Sequence, residues 1–403
     1  MTLLPKIEKL TRDVTVTHFF LMFGYKIFSL YFPLFLVARG LSLPQVGYTY
    51  LLIYLPIALF APIVSFFNHK INPAILTSIG ILGYGVYAAG MILIPGTHGV
   101  GDSLFYFWQV ILGISAALFF ASSRAILMGS PLENPDRAFG WFYSAPFYAS
   151  AFAPAIGAFF IWKFNFAGVF ILSLAIHLFN AVFCFIRLRK PARILPDHGF
   201  RLQNLQRNYQ RAFHKLKQRT VLCLILISFS ILLLGGFYRA FFVLFLKQEL
   251  AWSQNLILVF GAIFSLLFLP VSLWIIKKVE TQKSLKNIFR GGIMVGLFTI
   301  LFGAIIPFLN FLSILLINIG RSIGGLMANS GRSGLVNREL KEYPEEAGAI
   351  DTIFSPLGMA LGSLISGLII GLLGFNLLFI FGGIFVLGAV FFGRRVAKNV
   401  ILK

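Results

Sequence analysis

Four ionisable side chains stand inside stretches otherwise apolar enough to cross a membrane: Lys26, Arg239, Arg321 and Asp351. A charge at the centre of such a stretch costs about 2.5–3.5 kcal/mol or more, so its default role is binding, relay or pairing. Three of the four are cations. Arg321 lies roughly 15 Å into its stretch at about 1.5 Å per residue. Lys26 is near the middle of the first stretch and Arg239 in the outer part of the seventh, and no acid lies at comparable depth. Unpaired cations in a low-dielectric cavity are stabilised by an anionic ligand. Arginine offers carboxylate or phosphate a planar fork, and lysine offers a compact point charge. Tyr25 and Tyr238, the sequence neighbours of Lys26 and Arg239, could add stacking or hydroxyl donation.

Asp351 is shallower. It suits a helix N-terminus and a pairing with Lys70 or another basic residue at that end, and its alternative role is proton coupling. His177, in mid-stretch, is the other proton-coupling candidate, against a plain hydrogen bond to a neighbouring helix, and His18 reads similarly. Gly235 and Gly236, just before Arg239, either loosen their helix or permit close packing. No cluster of His, Cys, Asp and Glu has metal-ligand spacing along the chain, and no Walker loop, GxSxG or dinucleotide fingerprint occurs. No enzyme, metal or cofactor is therefore expected. Cys184 and Cys223 read as free thiols.

The elements that must position these residues follow from composition. Of 403 residues, 58% are hydrophobic and only 12% charged, with a mean hydropathy of +0.88. Ordinary soluble domains carry about 25% charge, so a water-soluble fold is excluded, as is disorder. The expected class is an all-α membrane protein. At roughly 20 residues per crossing, the apolar stretches give about twelve transmembrane helices: 14–37, 46–68, 74–94, 103–127, 138–162, 165–186, 220–246, 254–276, 287–308, 311–335, 347–371 and 375–393. The first contains Lys26 and suits a retained span better than a cleavable signal.

The net charge of +21 would suggest nucleic acid in a soluble protein, but here it follows the loops. Of 34 lysines and arginines, 28 fall on one side and three, Arg39, Lys163 and Lys247, on the other. That asymmetry puts both termini in the cytoplasm and supports an even number of spans. The one long connection, 187–219, contains an amphipathic stretch, 199–217. There Leu202, Leu205, Tyr209, Phe213 and Leu216 recur at helical spacing among Arg201, Arg207, Arg211 and Lys215. It is expected to lie on the anionic inner leaflet, with partner docking as the alternative.

The two halves of the chain repeat. Pro62 and Pro270, Lys70 and Lys278, and Arg124 and Arg332 are each 208 residues apart. Pro135 and Pro344 are 209 apart, and Pro146 and Pro356 are 210 apart. Two parallel six-helix halves joined by one basic loop resemble the major facilitator superfamily. The local motifs of that family are only partly present. In the loop after the second span, SFFNHKINP keeps Lys70, with His69 and Asn72 where the family usually has Asp and Gly. In the fifth span, Ala153-Pro154-Ala155-Ile156-Gly157 keeps Pro154 and Gly157 of the family's antiporter signature, and Arg124 is the counterpart of its fourth-span arginine.

The resemblance implies pseudo-symmetric halves at 1–186 and 220–403 around a linker at 187–219, in a monomer of the inner (plasma) membrane. It gives Lys70, Lys278, Arg124, Arg332, Pro154 and Gly157 gating or structural roles. It also implies that spans one, four, seven and ten line a central cavity, which would gather Lys26, Arg239 and Arg321. The expected function is secondary transport of a small organic or phosphate-type anion by alternating access, with exchange as the simplest coupling. Proton-coupled transport of another solute, a lipid or lysolipid flippase, and a non-transporting receptor or membrane enzyme are the alternatives.

Overall fold

The computed structural model describes residues 5–94, 103–189, 201–280 and 283–401, and these form twelve α-helices and no strand. The linker cations Lys190 and Arg193 lie outside the described residues. α1 (Lys9–Ser29) stops where Pro33 begins to act, because a proline ring clashes with the carbonyl four residues back. α2 (Phe32–Ala38) starts afresh with Pro33 in its first turn. The expected first span, 14–37, is thus broken at Leu30–Tyr31 rather than continuous.

α3 (Leu43–Lys70) opens on a capping box in which the Ser42 amide donates to Gln45 Oε1 at 2.8 Å. α4 (Pro73–Ile92) is capped by the Asn72 side chain, which accepts from the Ala74 amide. α5 (Ser103–Met128) precedes α6 (Pro135–Leu188), which is 54 residues long. α7 (Leu202–Leu216) lies in the linker. The second half holds α8 (Arg219–Gln248), α9 (Gln254–Glu280), α10 (Ser284–Ala304), α11 (Phe311–Glu339) and α12 (Pro344–Ile401), the last 58 residues long.

A straight helix as long as α6 would measure about 80 Å, well over the ~30 Å of a bilayer core. It does not run straight. His18 Nδ1 meets the Phe142 carbonyl at 2.9 Å, while the Asn180 amide donates to the Thr17 carbonyl at 3.0 Å. Adjacent residues of α1 therefore touch parts of α6 that are far apart in sequence, so α6 folds back on itself. The reversal is at Asn165, whose backbone leaves the helical region at φ 59° and ψ −171°. In α12 the corresponding break is Gly374, at φ 75°. Counting α1 with α2, ten helices among the described residues are long and apolar enough to cross a membrane. Both breaks fall where separate spans were expected to meet.

α7 packs one face against the rest of the chain. Leu205, Ala212 and Leu216 are buried, and of its large apolar residues Leu202 and Phe213 are exposed, along with most of its polar face. Asn208 Nδ2 donates to Glu346 Oε1 at 2.9 Å and Lys215 Nζ to Glu342 Oε2 at 2.8 Å, which pins the linker to the start of α12. That ion pair holds the Glu342 carboxyl below its ordinary range, chiefly through the Lys215 hydrogen bond.

Glycines set the closest approaches. A Cβ on Gly157 would overlap the Ile27 carbonyl, and one on Gly362 the Leu233 carbonyl. Gly236 lies against the Met359 carbonyl within an unbroken α8, so Gly235–Gly236 permits packing there and does not loosen the helix. Gly157→Ala should force α1 and α6 apart beside Lys26. Overpacking of this kind costs about 1–3 kcal/mol, so thermal unfolding in detergent should show a clearly lowered Tm. An unchanged Tm would mean the helices separate freely there.

Candidate functional site

A cavity of about 420 Å³ lies between α1, α6, α8, α9 and α11. Lys26, Arg239 and Arg321 all line it, and no carboxylate does among the described residues. Phe147, Phe242, Phe260 and Phe264 supply apolar walls, and Ser150, Asn318, Ser322 and Asn329 supply neutral polar groups. Each cation is half-buried. α1 brings Lys26 to the wall one turn before its end, and the break after it leaves Ser29, Leu30 and Pro33 on the same wall.

The three cations are held differently. Arg239 Nε donates to the Tyr54 hydroxyl at 3.1 Å, joining α8 to α3 instead of reaching outward. The Arg321 guanidinium lies 3.4 Å from the centre of the Tyr238 ring. Its Nε is buried with no hydrogen-bond partner. Among the described residues Arg321 bonds to neither Asn318 nor Asn329 of its own helix. Asn318 donates to the Ile314 carbonyl, and Asn329 accepts from Arg332 Nη1 at 3.3 Å. Among the described residues Lys26 makes no hydrogen bond or ion pair. Tyr25 does not belong to the cavity: it packs edge-on against Phe28 and Tyr84, because its side of α1 faces α4.

Lining positions run from Tyr143 and Asn329 to Leu246 and Ile257, so the cavity occupies the middle of the bundle and the end away from α7. Below it, towards the linker end, lies a buried polar network. Arg332 Nε donates to Asp351 Oδ1 at 2.9 Å. Arg124 Nε lies 3.3 Å from Asp351 Oδ2, and Arg124 Nη1 donates to Thr352 Oγ1 at 2.7 Å. Ser333 Oγ and the Tyr143 hydroxyl also donate to Oδ2, at 2.7 and 3.2 Å. Arg332 and Asp351 are wholly buried, and Arg124 nearly so. Asp351 therefore pairs with two arginines and not with Lys70, which stacks on Phe66. Lys278 stacks on Trp274 in the same way. The network ties α5 and α6 to α11 and α12.

A second clasp lies further towards the linker end. Asp136, at the start of α6, accepts from Arg338, from Ser284 Oγ at 2.9 Å and from Asn287 Nδ2 at 3.0 Å. Lys6 and Arg137 meet at Glu133, whose carboxyl is held below its ordinary range, first by the Lys6 hydrogen bond.

His177 is buried outside the cavity, against Tyr84 and Gly24, and its Nδ1 has no partner. Pro154 lines the cavity, and its carbonyl accepts from the Tyr31 hydroxyl at 3.1 Å. Cys184 and Cys223 are free thiols. Tyr54, Tyr143 and Asn329 were not expected in the site. For Tyr143 a signal existed, since it stands 208 residues before Asp351, the offset at which the halves repeat. Spacing along the chain also hides one cluster, His69 with Glu345 and Glu346, which only the fold assembles.

The sequence profile of the Major Facilitator Superfamily matches residues 14–349. Among curated protein sequences none matches the chain significantly. Solved structures of similar fold include the following three. The human organic anion transporter MFSD10 (TETRAN) is 14% identical with a TM-score of 0.73, over 95% of this chain and 99% of that one. The proton:xylose symporter XylE is 12% identical with a TM-score of 0.71, over 96% and 95% of the two chains. A bacterial homologue of the iron transporter ferroportin, in an outward-facing state, is 14% identical with a TM-score of 0.65, over 98% and 100%.

Proposed function

The chain belongs to the major facilitator superfamily and is an integral multi-pass membrane protein, and from that premise we propose that it is a secondary transporter of a small organic anion. One observation carries this reading: Lys26, Arg239 and Arg321 face a single cavity whose described wall holds no carboxylate. Cations withdrawn from water and left unpaired favour an anion between them. The phenylalanine walls suit a substrate with an apolar body behind its charged group. The human structure of similar fold is an organic anion transporter, which agrees in class.

The transport cycle follows alternating access between two six-helix halves. Division of α6 at Asn165 and of α12 at Gly374 makes twelve spans, with both termini and α7 on the cytoplasmic side. The cavity then opens away from the cytoplasm, and the Asp351 and Asp136 clasps close it on the cytoplasmic side. Exchange of one anion for another is the simplest coupling, because a second anion resets the positive site without an acid in its wall.

Purified protein screened by thermal shift against carboxylates, phosphates and matched amines tests the reading. Ligand at about 100 times its Kd stabilises by roughly 2.7 kcal/mol. Organic anions should raise the Tm, and proteoliposomes should take up those that do. Stabilisation by cationic or neutral compounds alone would overturn it.

A further inference from the structure

We propose that His69, Glu345 and Glu346 form a divalent transition-metal site that clips the end of α3 to the start of α12. One ligand atom from each residue lies within 4.8 Å of those of the other two. His69 Nε2 is 2.9 Å from Glu346 Oε1, and two donors on one tetrahedral metal at bond lengths of roughly 2.0–2.2 Å stand about 3.4 Å apart, so the pair need open only slightly to admit one. His69 stands 277 residues before Glu346, so the chain crosses the whole bundle to bring them together.

Two features separate this cluster from an ordinary surface ion pair. Glu345 and Glu346 are both buried, Glu346 completely. Two adjacent carboxylates in such a place repel unless positive charge joins them, and one imidazole neutralises at most one. In addition, Glu346 Oε2 is buried with no hydrogen-bond partner, although Oε1 accepts from Asn208 and meets His69. An orphaned carboxylate oxygen inside a His-Glu-Glu cluster is the lone pair a cation would take. Neighbouring Lys70 is turned onto the Phe66 ring.

One imidazole with two carboxylates suits Zn2+, and by the same donor set Mn2+ or Co2+, with open positions for water. Asn208 fixes Glu346 as an outer partner, a role usually worth about 10–100-fold in metal affinity. His69 and the two glutamates sit on different halves of the repeat, beside the clasps that close the linker end. A metal bound there favours the arrangement in which these residues touch. By linkage it opposes any arrangement in which they part. The site is independent of which solute the cavity takes.

The test uses the full-length purified protein, stripped with chelator and titrated with Zn2+ for thermal stability and with Co2+ for ligand-field absorption. Binding should raise the Tm reversibly, with about one Co2+ per chain in a low-coordinate spectrum. Glu345→Gln, which keeps the shape of the side chain, and His69→Ala should each weaken binding at least about tenfold. Wild-type protein that shows no shift with Zn2+ up to about a thousandfold excess over protein would overturn the site. So would a shift that survives unchanged in both variants. Because binding is read without any transport measurement, its failure is distinct from a failure of the anion reading.

Discussion

Arg321→Ala is expected to abolish anion uptake and the anion-induced rise in Tm, while the unliganded protein stays at least as stable as the wild type. The two signs share one cause. The guanidinium rests on the Tyr238 ring at 3.4 Å, with its Nε buried and unpartnered. A desolvated cation–π contact returns about 2 kcal/mol, whereas removing an ion from water costs several. Arg321 is therefore under-compensated until an anion joins it, and truncation removes that cost together with the binding. Loss of a charge-assisted pair of this kind, at ~3–5 kcal/mol, corresponds to about 10²- to 4 × 10³-fold weaker binding. Arg321→Lys should recover little of it, because an ammonium supplies neither the fork nor the flat stack. Lys26→Ala should weaken binding too, since Lys26 has no hydrogen-bond or ion-pair partner among the described residues. Wild-type uptake by Arg321→Ala would remove the residue from the site.

How much of this was legible in the sequence depends on whether the signal was local. Apolar stretches of spanning length survive any change of packing, so the helices fall where hydropathy puts them. The repeat offset of 208 residues carried more than topology. Arg124 and Arg332 are repeat mates, and both converge on Asp351, while Tyr143, the mate of Asp351, donates to it. The proposed pseudo-two-fold relation between the halves would bring equivalent positions near its axis face to face in this way. Side-chain direction was not legible. Tyr25 and Tyr238 looked alike, each beside a deep cation, yet Tyr25 turns to α4 and Tyr238 lies under Arg321. The break after Ser29 required weighing Pro33 against the apolar run that hides it. The meeting of His69 with Glu345 and Glu346 depends on α3 and α12 being neighbours, which no spacing along the chain encodes.

Asp351→Asn should have the largest effect on conformation, and it also decides the coupling. Asp351 is wholly buried between Arg332 and Arg124, so its removal leaves two buried guanidinium groups facing one neutral amide. Breaking a buried pair from one side costs about 3–5 kcal/mol, concentrated where α5 and α6 meet α11 and α12. The linker end should therefore loosen. Ser330, fully buried in α11 near Gly140 of α6, gives a place to read this. On a background lacking Cys184 and Cys223, Ser330→Cys should be protected in the parent and label readily once Asp351→Asn is added. Equal labelling with and without Asp351→Asn would show that the network does not hold that end closed. For coupling, an exchanger needs only a second anion to reset its cations, so internal substrate should accelerate uptake and Asp351→Asn should retain counterflow at a reduced rate. A carboxylate gripped by two arginines, Ser333 and Tyr143 is poorly placed to release and rebind a proton in each cycle. Accumulation driven by an inward proton gradient in vesicles without internal substrate, and eliminated by Asp351→Asn, would reverse this conclusion and make Asp351 the proton carrier.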